Sequence, residues 1–163
     1  MTYRITQHKL SQTQGSLVDR GANGGLLGDD VWIFAWTEKY VDVAGLNNHQ
    51  EHGLRIASGA AIIETNCGPH VGVFHQYAFL GKGKTIHSCG QMEMFGLEVN
   101  DKSHIVGGKQ CINTPDGIVI PLSFRQGLPY LNMYPCNEEL FHKLPHIVFT
   151  SDLEWDPAVW TMN

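Results

Sequence analysis

Leu17-Val18-Asp19-Arg20-Gly21-Ala22-Asn23-Gly24-Gly25 is the stretch on which the reading of this chain turns. Leu17-Val18-Asp19 has the character of a short strand, and four of the next six residues are Gly or Ala. A strand that runs into so small a segment predicts a tight loop in which backbone amides approach the carboxylate. In isolation an Asp-x-Gly is most often an Asx-turn capping a strand. A carboxylate held by amides is also placed to do chemistry, which makes Asp19 the first candidate for a functional residue.

Outward from this loop the chain reads as short β-prone runs bounded by glycine. Val31–Trp36, Tyr40–Val43, Ala60–Thr65 and His70–Tyr77 are rich in β-branched and aromatic residues. Lys102–Val106 and Gly117–Leu122 flank Thr114-Pro115-Asp116-Gly117, which predicts a hairpin across that turn. Helix is scarce. The best candidate is Asn137–Lys143, with a capping Asn, two acids in its first turn and Pro145 to stop it. The pattern predicts a mainly β domain over 1–150, a small barrel or sandwich with one short helix near the C-terminus. Residues 151–163 are acidic and aromatic without a period, and read as an arm or as a linker to a following segment.

The composition excludes several classes. Only 11 Lys plus Arg against 16 Asp plus Glu leave a net charge of -5 and no basic stripe, so nucleic-acid binding by this segment is not expected. No apolar run approaches the roughly 20 residues of a membrane span, and no secretory signal is visible, which predicts a soluble, cytoplasmic protein. Charged residues are 17%, below the usual quarter or so, and Gly is 18, as short strands and many turns require. The cysteines Cys67, Cys89, Cys111 and Cys136 form no C-x-x-C pair and read as reduced and structural.

Two further patterns carry weaker signals. Gly81-Lys82-Gly83-Lys84-Thr85 has the permissive form of a phosphate loop, but Ile86–Gln91 is a poor start for the helix such a loop needs, so it reads as a decoy. His87 and Cys89 lie two apart, and the same reasoning favours a structural role over a thiol nucleophile. Nine histidines are many for 163 residues. Asp19, His49, His75 and His87 form a candidate zinc site if the fold brings them together, although no pair has the i, i+4 spacing of a helical ligand set.

The Leu-Val-Asp-x-Gly-Ala form, together with Val41–Gly45, Asn47–Gln50, His75–Ala78, Gly81–Ser88, Gly127–Tyr130 and a closing Leu-Pro-His-Ile-Val…Trp-Asp-Pro block, resembles the protease region of copia-type (Ty1/copia) retrotransposon Gag-Pol polyproteins of diatoms and related algae. The resemblance spans essentially residues 1–157. It implies a retropepsin-like β fold and a homodimeric aspartic endopeptidase that processes its own Gag-Pol precursor, with no cofactor expected. Asp19, Gly21 and Ala22 would be the catalytic segment. Asn23, Gly24 and Gly25 would contact a polypeptide substrate bound as an added strand. Each subunit would contribute one Asp to a dyad that shares a proton. Arg20 stands where active members carry Ser or Thr, whose hydroxyl bonds across the dimer. Two guanidinium groups near the two-fold axis would favour ionised carboxylates. The alternatives from other classes are a zinc-dependent hydrolase or metal-binding domain built on Asp19 and the histidines, and an inactive structural remnant.

Overall fold

The computed structural model describes residues 1–5, 15–46 and 49–159, with Leu46, His49 and Val159 described by backbone alone. The chain is mainly β, as the sequence predicts. Strands β1 (Thr2–Arg4), β2 (Ser16–Asp19) and β3 (Leu26–Leu27) lead into a meander of three long strands, β4 (Trp32–Leu46), β5 (His49–Thr65) and β6 (Gly68–Phe79). Then come β7 (Ile86–Ser88), helix α1 (Cys89–Met94), β8 (Glu98–Asn100), β9 (Cys111–Asn113) and β10 (Val119–Pro121). The last elements are β11 (Ser123–Arg125), β12 (Leu128–Leu131), β13 (Tyr134–Pro135), helix α2 (Glu138–Lys143) and β14 (His146–Val148). The large sheet runs β1-β4-β5-β6-β3-β7-β2-β12-β11, and β8, β9 and β10 form a second sheet.

Trp32–Trp36, from the predicted Val31–Trp36 run, and Tyr40–Val43 belong to one strand rather than two. Register shifts against β5 at Ile33/Ala35 and Trp36/Tyr40 bend β4 without ending it, because a bulge adds a residue and raises the local twist. The middle of β5 is buried from Ile56 to Ala61. Ala57, Gly59, Ala60 and Ala61 keep that stretch thin, and a Cβ on Gly59 would already touch Leu27 and Val31 at 3.3 Å.

Two expectations are corrected. The hairpin around Thr114 pairs β9 with β10, Ile112 facing Ile120, and does not involve Lys102–Val106. The Ser103 hydroxyl accepts from Ile105 N–H and starts a 3-10 turn over His104–Val106, a local bond that competes with strand pairing. Ile105 there is 93% exposed. Among the described residues there are also two α-helices rather than one. Ser88 caps α1 by accepting from Gln91 N–H at 3.2 Å, a cap that a helix of six residues depends on. Helix α2 is the expected one, with Asn137 Oδ1 accepting from Leu140 N–H at 2.8 Å.

One core, with Val18, Leu27, Phe74, Tyr77, Met92 and Phe149, extends to Ile112 and Ile120 of the second sheet. A second holds Tyr3, Ile5, Ala22, Val41, Val43 and Trp155. Beside them lies a buried polar knot. Asp30 accepts from the Ser16 hydroxyl (2.6 Å), Thr85 N–H (3.0 Å) and the Thr85 hydroxyl (2.6 Å), and Thr85 Oγ1 accepts from Gly28 N–H (3.1 Å). It ties the entrance of β2 to the entrance of β7. Residues 151–159 lie against this body: Trp155 Nε1 donates to Asn23 O at 2.7 Å and Gln76 Nε2 to Asp152 O at 3.3 Å, while Lys39 pairs with Glu154. Among the described residues no helix is long and apolar enough to cross a membrane.

The knot yields a stability prediction. Asp30→Ala leaves three donors without their acceptor in a dry interior, each costing about 1–3 kcal/mol. Urea unfolding should therefore show a loss of about 3 kcal/mol or more, whereas a loss under about 1 kcal/mol would mean that the knot is wet.

Candidate active site

Asp19 ends β2, which runs parallel to β7 with Asp19 opposite Ser88 and antiparallel to β12 on its other edge. Two flanking strands fix where the carboxylate emerges. Asp19 is 8% exposed. Its Oδ1 accepts from Gly21 N–H at 2.8 Å, and its backbone O accepts from Ala22 N–H at 3.3 Å. The loop closes tightly, with one amide, that of Gly21, on the carboxylate and that of Ala22 on the Asp19 backbone carbonyl.

The remaining residues of the stretch divide by burial. Gly21 is exposed and Ala22 is buried in the second core. Asn23 is half-buried and lines, with Arg20, Ala22, Ser88, Gly90 and Glu93, a cleft of about 670 Å³ to which Trp155 and Pro157 also contribute. Gly24 and Gly25 are buried beneath aromatic rings. A Cβ would lie 2.4 Å from Tyr3 Cδ2 at Gly24 and 2.5 Å from Tyr77 Cε2 at Gly25, so close packing by itself requires glycine at both.

Arg20 turns away from the two strands and joins the loop to α1 and β8. Nη1 and Nη2 bond Glu93 at 2.7 and 3.2 Å, Nε and Nη2 bond Asp101 at 3.2 and 3.3 Å, and Nη2 reaches Val99 O at 3.3 Å. Hydrogen bonding to Glu93, with Asp101 adding to it, holds the guanidinium protonated against a smaller opposing effect of burial. Its charge is thus met by two carboxylates of the same chain.

The zinc alternative finds little support in the described histidines. His87 is buried in the first core between Phe74 and Tyr77, its Nδ1 2.7 Å from the Tyr77 hydroxyl and its Nε2 without a hydrogen-bond partner. Burial pulls its pKa down to about 4, Asp30 acting weakly the other way. His75 Nδ1 bonds the Ser58 hydroxyl at 2.7 Å, and burial lowers its pKa too. Among the described residues no three His, Cys, Asp or Glu side chains converge as a metal site. The His49 side chain and Asn47-Asn48 lie outside the described residues. Cys89 is a poor nucleophile, because burial pushes its thiol up to about 12. The Gly81–Thr85 segment is a turn clamped by Asp29 N–H donating to Gly83 O (2.7 Å) and by Thr85 on Asp30, and it leads into β7 rather than a helix.

Gln91 is the site residue that sequence reasoning missed. From α1 its Oε1 accepts from Gly25 N–H at 2.9 Å, and its Nε2 donates to His75 O at 3.2 Å and Gln76 O at 3.0 Å. Gln76 has φ 61°, a bend in β6 that turns its carbonyl towards α1. The only signal in the sequence is Ser88 three residues before Gln91, a capping spacing. No family model, no curated protein and no solved structure matches the chain.

Two measurements test these placements. An unfolded His titrates near 6.5, so the folded state resists protonating His87; its contribution is fully present above about pH 6.5 and is lost as pH falls from there towards 4, on the order of 3 kcal/mol in all. In the Tyr77→Phe/His87→Phe double variant the fall in unfolding free energy between pH 6.5 and 4.5 should be visibly shallower than in the parent; parallel curves would show that His87 does not titrate with unfolding. Arg20→Met should cost about 1 kcal/mol, with a weaker salt dependence of stability than the parent, because the ion pairs it removes are partly exposed. An unchanged midpoint at low salt would show that the network contributes nothing.

Proposed function

We propose that the chain is one subunit of a retropepsin-like aspartic endopeptidase from a copia-type retroelement polyprotein, acting in the cytoplasm on its own Gag-Pol precursor. The observation that carries this reading is the setting of Asp19: a carboxylate at the end of a doubly flanked strand, accepting a glycine amide in a tight loop beside a cleft.

One such carboxylate makes half a dyad. A second copy supplies the other Asp19 when the loops of two subunits meet. Two carboxylates so close share one proton and titrate as a unit. The ionised one takes a proton from a water molecule, and the protonated one gives its proton to the oxygen of the scissile carbonyl, so that the water oxygen bonds to carbon as the carbonyl becomes a diol. Arg20, bound to Glu93 and Asp101, presents little unbalanced positive charge to such a pair, which answers the objection from charge, while the cross-dimer bond of the usual Ser or Thr hydroxyl has no counterpart in it. Gly21 N–H fixes the plane of the carboxylate, and Ala22 anchors the loop to the core.

Incubating the purified chain with its precursor tests the reading. Cleavage should fall by roughly 10³-fold or more in Asp19→Asn, should stop with a pepstatin-type inhibitor, and should be second order in subunit concentration below the dimer dissociation constant. Cleavage that survives Asp19→Asn, or stops with a chelator, would overturn it.

A further inference from the structure

Strand β1 is hydrogen-bonded along both edges. On one it lies parallel to β4, Thr2 to Arg4 opposite Asp42 to Ala44, with Ile5 N–H donating to Ala44 O (3.1 Å) and Asp42 N–H donating to Met1 O (3.1 Å). On the other it meets Asn23, four residues beyond Asp19. Arg4 N–H donates to Asn23 Oδ1 (2.6 Å), and Asn23 N–H donates to Arg4 O (2.9 Å).

Its side chains alternate accordingly. Tyr3 and Ile5 are buried while Arg4 is exposed. The Tyr3 ring lies on Gly24, so close that no Cβ fits between them, and its hydroxyl donates to Gln76 O (2.8 Å), the same carbonyl that Gln91 holds. The surroundings of β1 are thus a slot with two backbone-bonding edges, a flat aromatic pocket with an acceptor at its end, and an aliphatic position two residues on. Main-chain bonds along an extended segment with alternate side chains in pockets are the means by which proteins take up a peptide as an added strand.

We propose that this slot is a binding site for extended peptides of the pattern Tyr-x-Ile, and that β1 is its intramolecular occupant. The Tyr pocket discriminates by its end: Phe fills the same volume but offers no donor to Gln76 O. Because Asn23 belongs to the Asp19 loop, a peptide in the slot runs along that loop. That such a peptide is presented for cleavage, and that β1 competes with it, rests on the peptidase reading; the binding itself does not.

The test uses the Asp19→Asn chain, which removes cleavage, in its full form and lacking residues 1–5. The probe is a fluorescein-labelled peptide, Met-Thr-Tyr-Arg-Ile-Thr, followed by anisotropy. The shortened chain should bind it saturably and at least tenfold more tightly than the full chain, whose slot is filled. A Tyr→Ala peptide should bind at least tenfold more weakly, a Tyr→Phe peptide a few-fold more weakly, and a peptide keeping only the Tyr-x-Ile pattern within about fivefold. If the shortened chain is unfolded alone, the pattern-only peptide at millimolar concentration should restore its native circular dichroism. A folded shortened chain that ignores the peptide, equal binding by both chains, failure of the pattern-only peptide, or an unfolded chain that the peptide does not rescue would each overturn the proposal. The arms also separate the two readings: binding without precursor cleavage by the parental chain leaves the slot and removes the peptidase, whereas cleavage without binding does the reverse.

Discussion

The parallel pairing of β2 with β7 is the constraint on which the rest of the structure depends. Leu17 lies beside Ile86 and Asp19 beside Ser88, and parallel neighbours cannot be joined by a tight turn. Everything between them, from the Asp19 loop through β3 and the β4-β5-β6 meander, is the connection. Closing so long a segment costs entropy that grows only slowly with length, and the apolar burial of Phe74, Tyr77, Ile56 and Ile63 offsets it. Strands of three and four residues have few ladder bonds with which to hold their register. Two buried side chains supply what the ladder lacks: Asp30 fixes the entrance of both strands, and Gln91 fixes the far side of the loop to the bent part of β6.

Charge is placed so that the cation next to Asp19 is compensated within the chain. Arg20 follows the carboxylate directly, yet its fork is taken by Glu93 and Asp101. His87 faces the core one residue before Ser88 and stays uncharged through the physiological range because burial penalises its cation. Cys89, next in sequence, keeps its proton for the same reason. His87 and Cys89 beside Asp19 are therefore neutral, and the Arg20 cation is met by the carboxylates of Glu93 and Asp101.

Local chemistry was legible in the sequence and distant chemistry was not. The Asp19 turn, the capping of α2 by Asn137 and the β character of the meander all depend on neighbours within a few residues, and each is readable from residue type alone. Helix α1 was missed because its six residues carry no apolar period, and because Gly90 and Cys89 lower its propensity; packing of Met92 and the clamp of Gln91 override that weakness. The partner of β10 was misassigned because Ile105-Val106 matches the β pattern as well as Cys111-Ile112 does, and only the Ser103 bond distinguishes them. The role of Arg20 was unreadable. Its partners lie 73 and 81 residues away, and nothing local distinguishes a guanidinium that crosses a dimer axis from one that ties its own subunit together.

Asn23 shows how a residue chosen for one reason serves another. It belongs to a small loop, and in the folded chain three of its four backbone and side-chain polar groups are engaged by these two segments: N–H and Oδ1 with Arg4, O with the Trp155 indole. Strand β1 and the residue-155 arm thus converge on a single position four residues past Asp19. Neither partner can leave without exposing those groups to water or to a substitute with the same donors and acceptors, and an extended peptide is such a substitute. An apolar ligand in place of β1 is not, since it would strand the Asn23 N–H and Oδ1 in a half-buried setting at a cost of about 1–3 kcal/mol each. The hydrogen-bonding pattern at Asn23 therefore selects backbone as the occupant, and the buried Tyr3 and Ile5 positions select which backbone it is.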